Sequence, residues 1–417
     1  MPKSPKETDT DALITDVLII GGGAIGMTAA AALAHHGLDV VIVEKSDPAI
    51  LRRAGADGRT TALSHASIEL MRAVGLWDAV VGHAEPILDI RVTDGPSHLF
   101  VHYDHAELGD APLGFIVENW VLWNALNIHV EGQDGVLYLG ASQVADLDRG
   151  PYGVRATLDD GRIVTAPLVL ACDGRRSRLR RAAGIHVAAW DYRQTAIVLT
   201  VAHEIPHGGV AHERFLTAGP FAILPMTDED GRHRSSVVWT EARDLAPALL
   251  DLDEDQFAAE LAERFGDFLG ALEVIGRRWS YHLSFLNAGR TTDRRLALVG
   301  DAAHAMHPIA GQGLNMGVRD VAALTQTIVE AGRLGRDIGD DTVLARYERW
   351  RRFDNTTLMY ITDGLNRLFS NDMPPVRAAR DIGLGLVNRT PPLRRAFMRN
   401  AMGLAGDLPN LLQGRDV

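Results

Sequence analysis

The 417-residue chain contains a single cysteine, which excludes an internal disulfide and any cysteine-rich zinc or iron–sulfur centre. A reducing compartment suits such a chain. Long apolar runs are missing too. The run Val17–Ile20 is too short to cross a bilayer, and glycines, histidines and charges break the apolar stretch after it. Met1 to Asp16 is polar and has no apolar signal core. An integral anchor is therefore not expected, whereas adsorption to a membrane surface stays open. Basic charge is also short: 42 Lys and Arg face 54 Asp and Glu, a net charge of −12. That balance argues against a nucleic-acid partner. There is no internal repeat and no low-complexity tract.

What remains is ordinary globular material, 46% hydrophobic and long enough for two or three domains. Glycine is plentiful, at 41 residues, which points to tight turns or close backbone approaches. The first unit reads strand, glycine turn, helix, strand: DVLII at 16–20, GGGAIG at 21–26, an Ala-rich helix over 27–36, then LDVVIVE at 38–44. Strands this continuously apolar are buried on both faces of a parallel sheet. Ser64–Val81 reads as an amphipathic helix, with Ile68, Leu70, Met71, Val74 and Leu76 facing the core. Residues 85–106 alternate like antiparallel strands, turning at Asp94–Gly95. A helix over 117–127 and a hairpin at Asp160–Gly161 follow, and then a strand ending at Cys172. From 186 to 287 short apolar runs suggest a second antiparallel sheet, with one helix at 253–265. The first theme resumes in RRLALVG and a helix from Gly313 to Glu330. After 340 the chain reads as helical to about 370, then becomes Pro-punctuated and basic.

Two segments carry cofactor chemistry. In Gly21-x-Gly23-x-x-Gly26 the first glycine permits the turn. The second admits a pyrophosphate, and the third lets helix pack on strand. Ala24 and Ile25 lie in the same turn, and the amides and dipole of the helix that follows favour phosphate. Glu44 ends the next strand, where a carboxylate accepts both ribose hydroxyls and disfavours the 2′-phosphate of NADP. The second segment begins with Gly300 and Asp301 at a strand end. It continues through Pro308 and Gly311-Gln312-Gly313-Leu314-Asn315 into an apolar helix. Its backbone amides suit the flavin edge where negative charge gathers on reduction. Two dinucleotide-contacting segments nearly 280 residues apart fit one extended FAD better than NAD. His304 and His307 have the spacing of zinc ligands, but no acid or cysteine cluster accompanies them, so no metal is expected. Ser177 lacks the pattern of a hydrolase nucleophile. Cys172 reads as an inert small hydrophobe.

With these residues, the sequence resembles the group A flavoprotein monooxygenases of the para-hydroxybenzoate hydroxylase superfamily, and within it the ubiquinone-biosynthesis hydroxylases. Four segments carry the resemblance over nearly the full length: GGGAIG with Glu44; Arg59-Thr-Thr-Ala-Leu-Ser64 with Gly75-Leu-Trp77 and Ile116-Val-Glu-Asn119; Asp173-Gly-Arg-Arg-Ser177 with Arg180; and Gly300-Asp-Ala-Ala-His304 continued by HPIAGQGLNMG at 307–317. Tyr192-Arg-Gln194, Glu213-Arg-Phe215, Gly219-Pro220 and Leu224-Pro225 strengthen the subfamily match. The run Trp120–Leu126 departs from many relatives in having no arginine.

The resemblance implies an α/β plus β fold: a Rossmann-like FAD domain with an inserted sheet-based substrate domain and a helical C-terminal region. The expected segments are 12–83, 112–185 and 288–339 for FAD, 84–111 and 186–287 for substrate, and 340–417 for the helical region. It implies that Gly21, Gly23, Gly26 and Glu44 hold the ADP half, and that Asp301 meets the ribityl–pyrophosphate region. Pro308 and Gly311 to Gly313 would border the isoalloxazine, Arg59 would lie near the flavin linker, and Asp173 with Gly174 would form a middle fingerprint. The implied activity is hydroxylation of a polyprenyl phenol or related ubiquinone precursor by O2, with NADH or NADPH as transient donor. The competing readings are a non-hydroxylating FAD reductase or dehydrogenase, and an FAD-retaining structural member of a quinone-biosynthesis assembly. No general base stands out; Tyr192, Gln194, Tyr281 and His282 are pocket candidates. The expected location is cytoplasmic, peripheral on the inner face of a membrane, with quinone-biosynthesis partner proteins and a homodimer both compatible. From Asn371 to Val417 seven arginines oppose four aspartates, giving +3, interleaved with apolar residues. That pattern suits either lipid docking or a helical cap.

Overall fold

The computed structural model describes residues 12–51, 57–95, 100–370 and 374–417. Most of the expected polar tail, and Asp372 of the basic stretch, lie outside them.

The apolar runs form the heart of a six-stranded sheet. Its order is Thr292–Asp293, Leu296–Leu298, Leu168–Ala171, Val17–Ile20, Val40–Val43, Val136–Leu139. All neighbours are parallel except the short first strand. Both faces are covered, which explains why the runs do not alternate. Val17 and Ile19 pack with helices Ala24–His35, Asn119–Glu131 and Gln312–Arg333. Leu18, Val41 and Val169 face a small sheet of Ala12–Ile14, Ile163–Ala166, Val154–Leu158 and Val144–Arg149. Pro167 alone separates a strand of this small sheet from a strand of the central one. Buried Arg295 secures that switch: it donates to the Pro167 and Pro151 carbonyls at 2.8 and 2.7 Å and pairs with Asp337.

An eight-stranded, mostly antiparallel sheet forms a roof beside this unit. It runs His304–Ala305, Leu272–Ala288, Val187–His203, Arg232–Ala242, Gly219–Glu229, Val210–Leu216, Asp89–Asp94, Phe100–Asp104. Its outer face buries Ile197, Leu199, Phe221 and Trp239 under helix Glu254–Phe265, through Phe257, Leu261 and Phe265. Its inner face looks toward the central unit. The fold is thus α/β plus β, with the expected helical C-terminal region: Asp341–Phe369, Pro374–Arg389 and Pro391–Ala401.

Two local readings need correction. The helix expected over Ser64–Val81 ends at Ala73, because Gly75 turns the chain with φ +74°, and short 3-10 turns follow at Trp77–Ala79 and Val81–His83. Asp89–Asp94 and Phe100–Asp104 pair antiparallel in the roof as expected. Ala84–Ile87, however, joins Gly114–Glu118 and Thr60–Ser64 in a separate three-stranded sheet.

Candidate functional site

The glycine turn sits at the C-terminal ends of the parallel strands, beside a groove of about 690 Å³ lined by Gly21, Gly23, Glu44 and Asp173, among others. Such crevices are where open α/β sheets bind ligands. Gly21 has φ +111°, and a Cβ there would lie 2.3 Å from the Cys172 carbonyl oxygen. A Cβ on Gly26 would lie 1.9 Å from the Gly21 oxygen. These two glycines are therefore needed by the fold itself. Gly23 differs: a Cβ there meets nothing within 4 Å, so its freedom serves something other than this chain. Helix Ala24–His35 starts with neither a side-chain cap nor an acidic first turn, leaving its first amides for an anion. The Glu44 carboxylate is fixed at the groove edge by the amides of Gly22 at 2.7 Å and Ser46 at 2.8 Å.

The second segment arrives from the far end of the sequence and packs on the first. Gly300 turns with φ +60°, placing a notional Cβ 3.2 Å from Ile25. A Cβ on Gly317 would approach Ile25 to 2.6 Å. Gly311 has φ +62° and lies against Ala62. Helix Gln312–Arg333 repeats the features of the first helix: no cap, no acid in its first turn, and open space at Gly313. Asp301 is exposed, whereas Pro308 receives the Gly311 amide at 3.0 Å and shapes the loop. A flavin dinucleotide fits these residues, since the open glycines and uncapped helix starts lie in both segments.

Other expected residues are engaged elsewhere. Asn315 is 2% exposed and spends its whole amide on the protein. It accepts from the Ser64 amide and the Ser67 hydroxyl, and it donates to the carbonyls of Ala62 and Gly311. It stitches the strand to the helix rather than facing the groove. Gln312 donates to the Ala401 carbonyl at 3.4 Å, and Leu314 packs against the main core. Asp173 caps the short helix Arg178–Ala182 through the Arg178 amide at 2.7 Å, while its Oδ1 is buried without a partner. Arg59 forms a two-pronged pair with Asp57 and lies 4.9 Å from the Tyr281 ring centroid. The Asp57 hydrogen bond raises the Arg59 pKa, against the opposing effect of burial. Burial pushes Asp57 up, but Arg59 outweighs it and holds that carboxyl below its usual range.

Among the pocket candidates, Tyr192 and Tyr281 stay near this region. Tyr192 meets the His307 ring edge-on at 5.2 Å, and Tyr281 donates to Asp57 at 3.3 Å. Gln194 is satisfied by Ala218, Ser370 and Asn366, so it anchors the long C-terminal helix to the roof. His282 does not join Tyr281: strand alternation turns it to the exposed side, where it meets the Thr195 hydroxyl at 3.3 Å.

Sequence reasoning missed a buried charge cluster. Asp320, fully buried on helix Gln312–Arg333, accepts from His304 Nε2 at 2.5 Å, Arg351 Nε at 2.9 Å, Asn355 at 3.0 Å and the Gly300 amide at 3.1 Å. Burial alone would raise its pKa, but His304, Arg351 and Asn355 hold it well below the carboxylate range. The signal was a lone aspartate on the apolar stripe of a helix. For His307 the sequence favours a structural or flavin-adjacent role over a metal ligand. It is fully buried with neither ring nitrogen partnered, and burial pulls its pKa down to about 3.

The FAD-binding-domain family matches residues 14–358. The chain is 51% identical to a ubiquinone hydroxylase of Rhodospirillum rubrum, over 96% of this chain and 93% of that one. It is 34% identical to the 3-demethoxyubiquinol 3-hydroxylase of Escherichia coli, over 94% and 99%. The chain belongs to the FAD-dependent ubiquinone-hydroxylase family. A solved structure of p-nitrophenol 4-monooxygenase from Pseudomonas putida shares the fold. Its TM-score is 0.77 at 21% identity, over 95% of this chain and 99% of that one. The family assignment makes FAD the cofactor and NADH or NADPH the electron donor.

Proposed function

We propose that this chain hydroxylates the aromatic ring of a polyprenyl phenol in ubiquinone synthesis. The observation that carries the reading is the packing of two uncapped helix starts, from residues 24 and 312, in one unit, where Gly300 and Gly317 of the second segment close on Ile25 of the first. Bound FAD supplies hydride acceptance from NADH or NADPH and the activation of O2. The balance is ring C–H, O2, NAD(P)H and a proton giving ring C–OH, NAD(P)⁺ and water.

The chain's own residues bind, orient and exclude water. Glu44, already fixed by two amides, accepts ribose hydroxyls. The first helix start would hold the pyrophosphate. The second, beyond Gly311 to Gly313, would stabilise negative charge on the reduced flavin. His307 is neutral at physiological pH, so the wall it forms with Tyr192 brings no charge to the aromatic substrate. The Tyr192 hydroxyl lies beside the Asp363 carboxylate, whereas neither His307 ring nitrogen has a partner among the described residues.

Lipid contact belongs to the same proposal. No helix among the described residues is long and apolar enough to cross a membrane. The C-terminal helices expose Leu386, Leu393 and Phe397 beside Arg389, Arg395 and Arg399. Helix Asp341–Phe369 adds a stripe of Phe353, Tyr360, Ile361, Leu365 and Leu368. Apolar and cationic side chains on one exterior suit an anionic bilayer that stores a prenylated ring.

The test is isotopic. Supply the holoenzyme with ¹⁸O2, NADH or NADPH and a short-prenyl methoxyphenol, and analyse the product by mass spectrometry. One ¹⁸O atom in a new ring hydroxyl is expected; consumption of the donor with only reduced or unchanged phenol would defeat the proposal. Acid precipitation should release the flavin as free FAD.

A further inference from the structure

The roof strand Val210–Leu216 carries one side-chain carboxyl, that of Glu213. Strand alternation divides its residues between the two faces. Arg214 points outward and donates to the carbonyls of Arg264 and Phe265 at 2.7 and 2.9 Å. Ala211, Glu213 and Phe215 therefore point inward. Ala211 packs in the cluster that holds Ile116, Met398 and Met402, with Ala62 against it. Phe215 packs with Ile309 and stacks on Phe369 at 4.0 Å. Glu213 lies between them, and its cross-strand neighbours are Val92 and Ala222. It therefore faces the seam where strand Thr60–Ser64 meets the Pro308–Gly311 loop.

That place is apolar on every side. Among the described residues the Glu213 carboxyl has no hydrogen-bond or ionic partner. Yet the residue keeps accessible surface, while Ala211 and Phe215 on either side are each 5% exposed. The protein thus leaves this residue incompletely covered. Burial also raises its pKa to about 8, so near neutral pH it is mainly the uncharged acid. An uncharged carboxyl can donate one hydrogen bond and accept another. A site with no protein partner for it is built for a ligand that brings one.

We infer that Glu213 is a substrate-positioning residue, whose carboxylic acid hydrogen-bonds an oxygen substituent on the aromatic ring of the substrate and so fixes which ring carbon faces the flavin. The inference rests on the phenol-hydroxylase reading above. It assigns the ligand chemistry of one position on the roof: an oxygen-bearing ring edge, with the apolar tail leaving elsewhere.

The experiment compares two variants with two probes, using FAD-loaded enzyme throughout. The probes are a short-prenyl methoxyphenol and the matching prenylbenzene without ring oxygens. Binding is read from the flavin absorbance change, and coupling from the ratio of hydroxylated product to hydrogen peroxide. Glu213→Leu should weaken the methoxyphenol by about 10-fold, the order expected for one lost buried hydrogen bond, and lower its coupling. The same variant should bind prenylbenzene as well as the parent does, or better. Glu213→Gln keeps a donor and an acceptor, so it should hold the methoxyphenol within about 3-fold of the parent. FAD content and melting temperature report folding. Equal loss for both probes in Glu213→Leu would show lost packing and overturn the inference. So would unchanged methoxyphenol affinity in that variant. If Glu213→Leu does not fold, a 10-fold loss in Glu213→Gln overturns it instead. A parent enzyme that hydroxylates no phenol fails the function proposal, an outcome separate from all of these.

Discussion

Asp320 shows how much one buried side chain can organise. Its carboxylate ties His304 and the Gly300 turn to Arg351 and Asn355 on the long C-terminal helix. The Arg351 side chain is only 2% exposed. Asp320→Ala would remove the fully buried partner of that guanidinium and leave it Asp354 and Asn355, at a cost of about 3 kcal/mol, measurable by urea unfolding. The pH dependence has a definite sign. Because the folded pKa lies below the unfolded value near 3.8, the contribution is present above about pH 4 and is lost as pH falls through the folded pKa. The deficit of the variant should therefore be full at neutral pH and shrink under acid. A deficit independent of pH would mean that the charge plays no part. None of this was readable from composition: an aspartate on an apolar helical stripe signals that a partner exists, but not that the partners lie at 304, 351 and 355. Asp57 illustrates a different gap. It is two residues from Arg59, yet their pairing depends on a local bend that periodicity does not encode.

At the scale of elements, sequence was most informative where burial is two-sided. DVLII and LDVVIVE admit few alternatives, because a continuous apolar strand must be covered on both faces. The glycine turn was equally clear, since three glycines at that spacing perform three different steric tasks. The structure separates those tasks into a prediction. Gly26→Ala drives a methyl into the Gly21 carbonyl, so it should destabilise the apoprotein by about 1–3 kcal/mol or more and abolish FAD retention. Gly23→Ala has open space around it, so the apoprotein should melt within about 0.5 kcal/mol of the parent. Its FAD affinity should nevertheless fall, because the methyl points where the pyrophosphate must approach. Calorimetry of apoprotein and FAD titration of both variants check this; equal FAD affinity in Gly23→Ala and parent would detach that glycine from the cofactor. The Ser64–Val81 reading failed because its apolar spacing continues past Ala73 while Gly75 turns the backbone. Periodicity alone cannot register that interruption.

For the whole molecule, the C-terminal region divides into a packed part and an exposed part. Met398 and Met402 are buried between roof and flavin unit, and Arg380 pairs with Asp94 of the roof at 2.8 Å. Arg394 is likewise occupied, by Glu107 at 2.6 Å and the Asn388 carbonyl. These residues cap the structure. Leu386, Phe397 and Arg395 are exposed, Arg395 with a long 4.0 Å contact to Glu107, and they are the residues the docking proposal uses. Leu386→Ser with Phe397→Ser should leave stability within about 0.5 kcal/mol while reducing sedimentation with anionic vesicles several-fold. Vesicle binding equal to that of the parent would remove this face from the membrane proposal. The division between cap and docking face was open in the sequence, because both uses draw on the same arginines and apolar residues. Only their orientation separates them.

The parallel strand Leu296–Leu298 lies beside Leu168–Ala171, although about 125 residues of mostly roof-sheet chain come between them. During synthesis this order matters. A nascent chain stopped near residue 290 has its roof strands but presents Leu168–Ala171 as an unpaired, wholly apolar sheet edge, the kind that recruits strands from other chains. It also lacks Gly300, Asp301 and Gly311 to Gly313, the segment proposed for the flavin half of the cofactor. On that proposal, full retention of FAD by a truncated or nascent chain requires residues beyond 313.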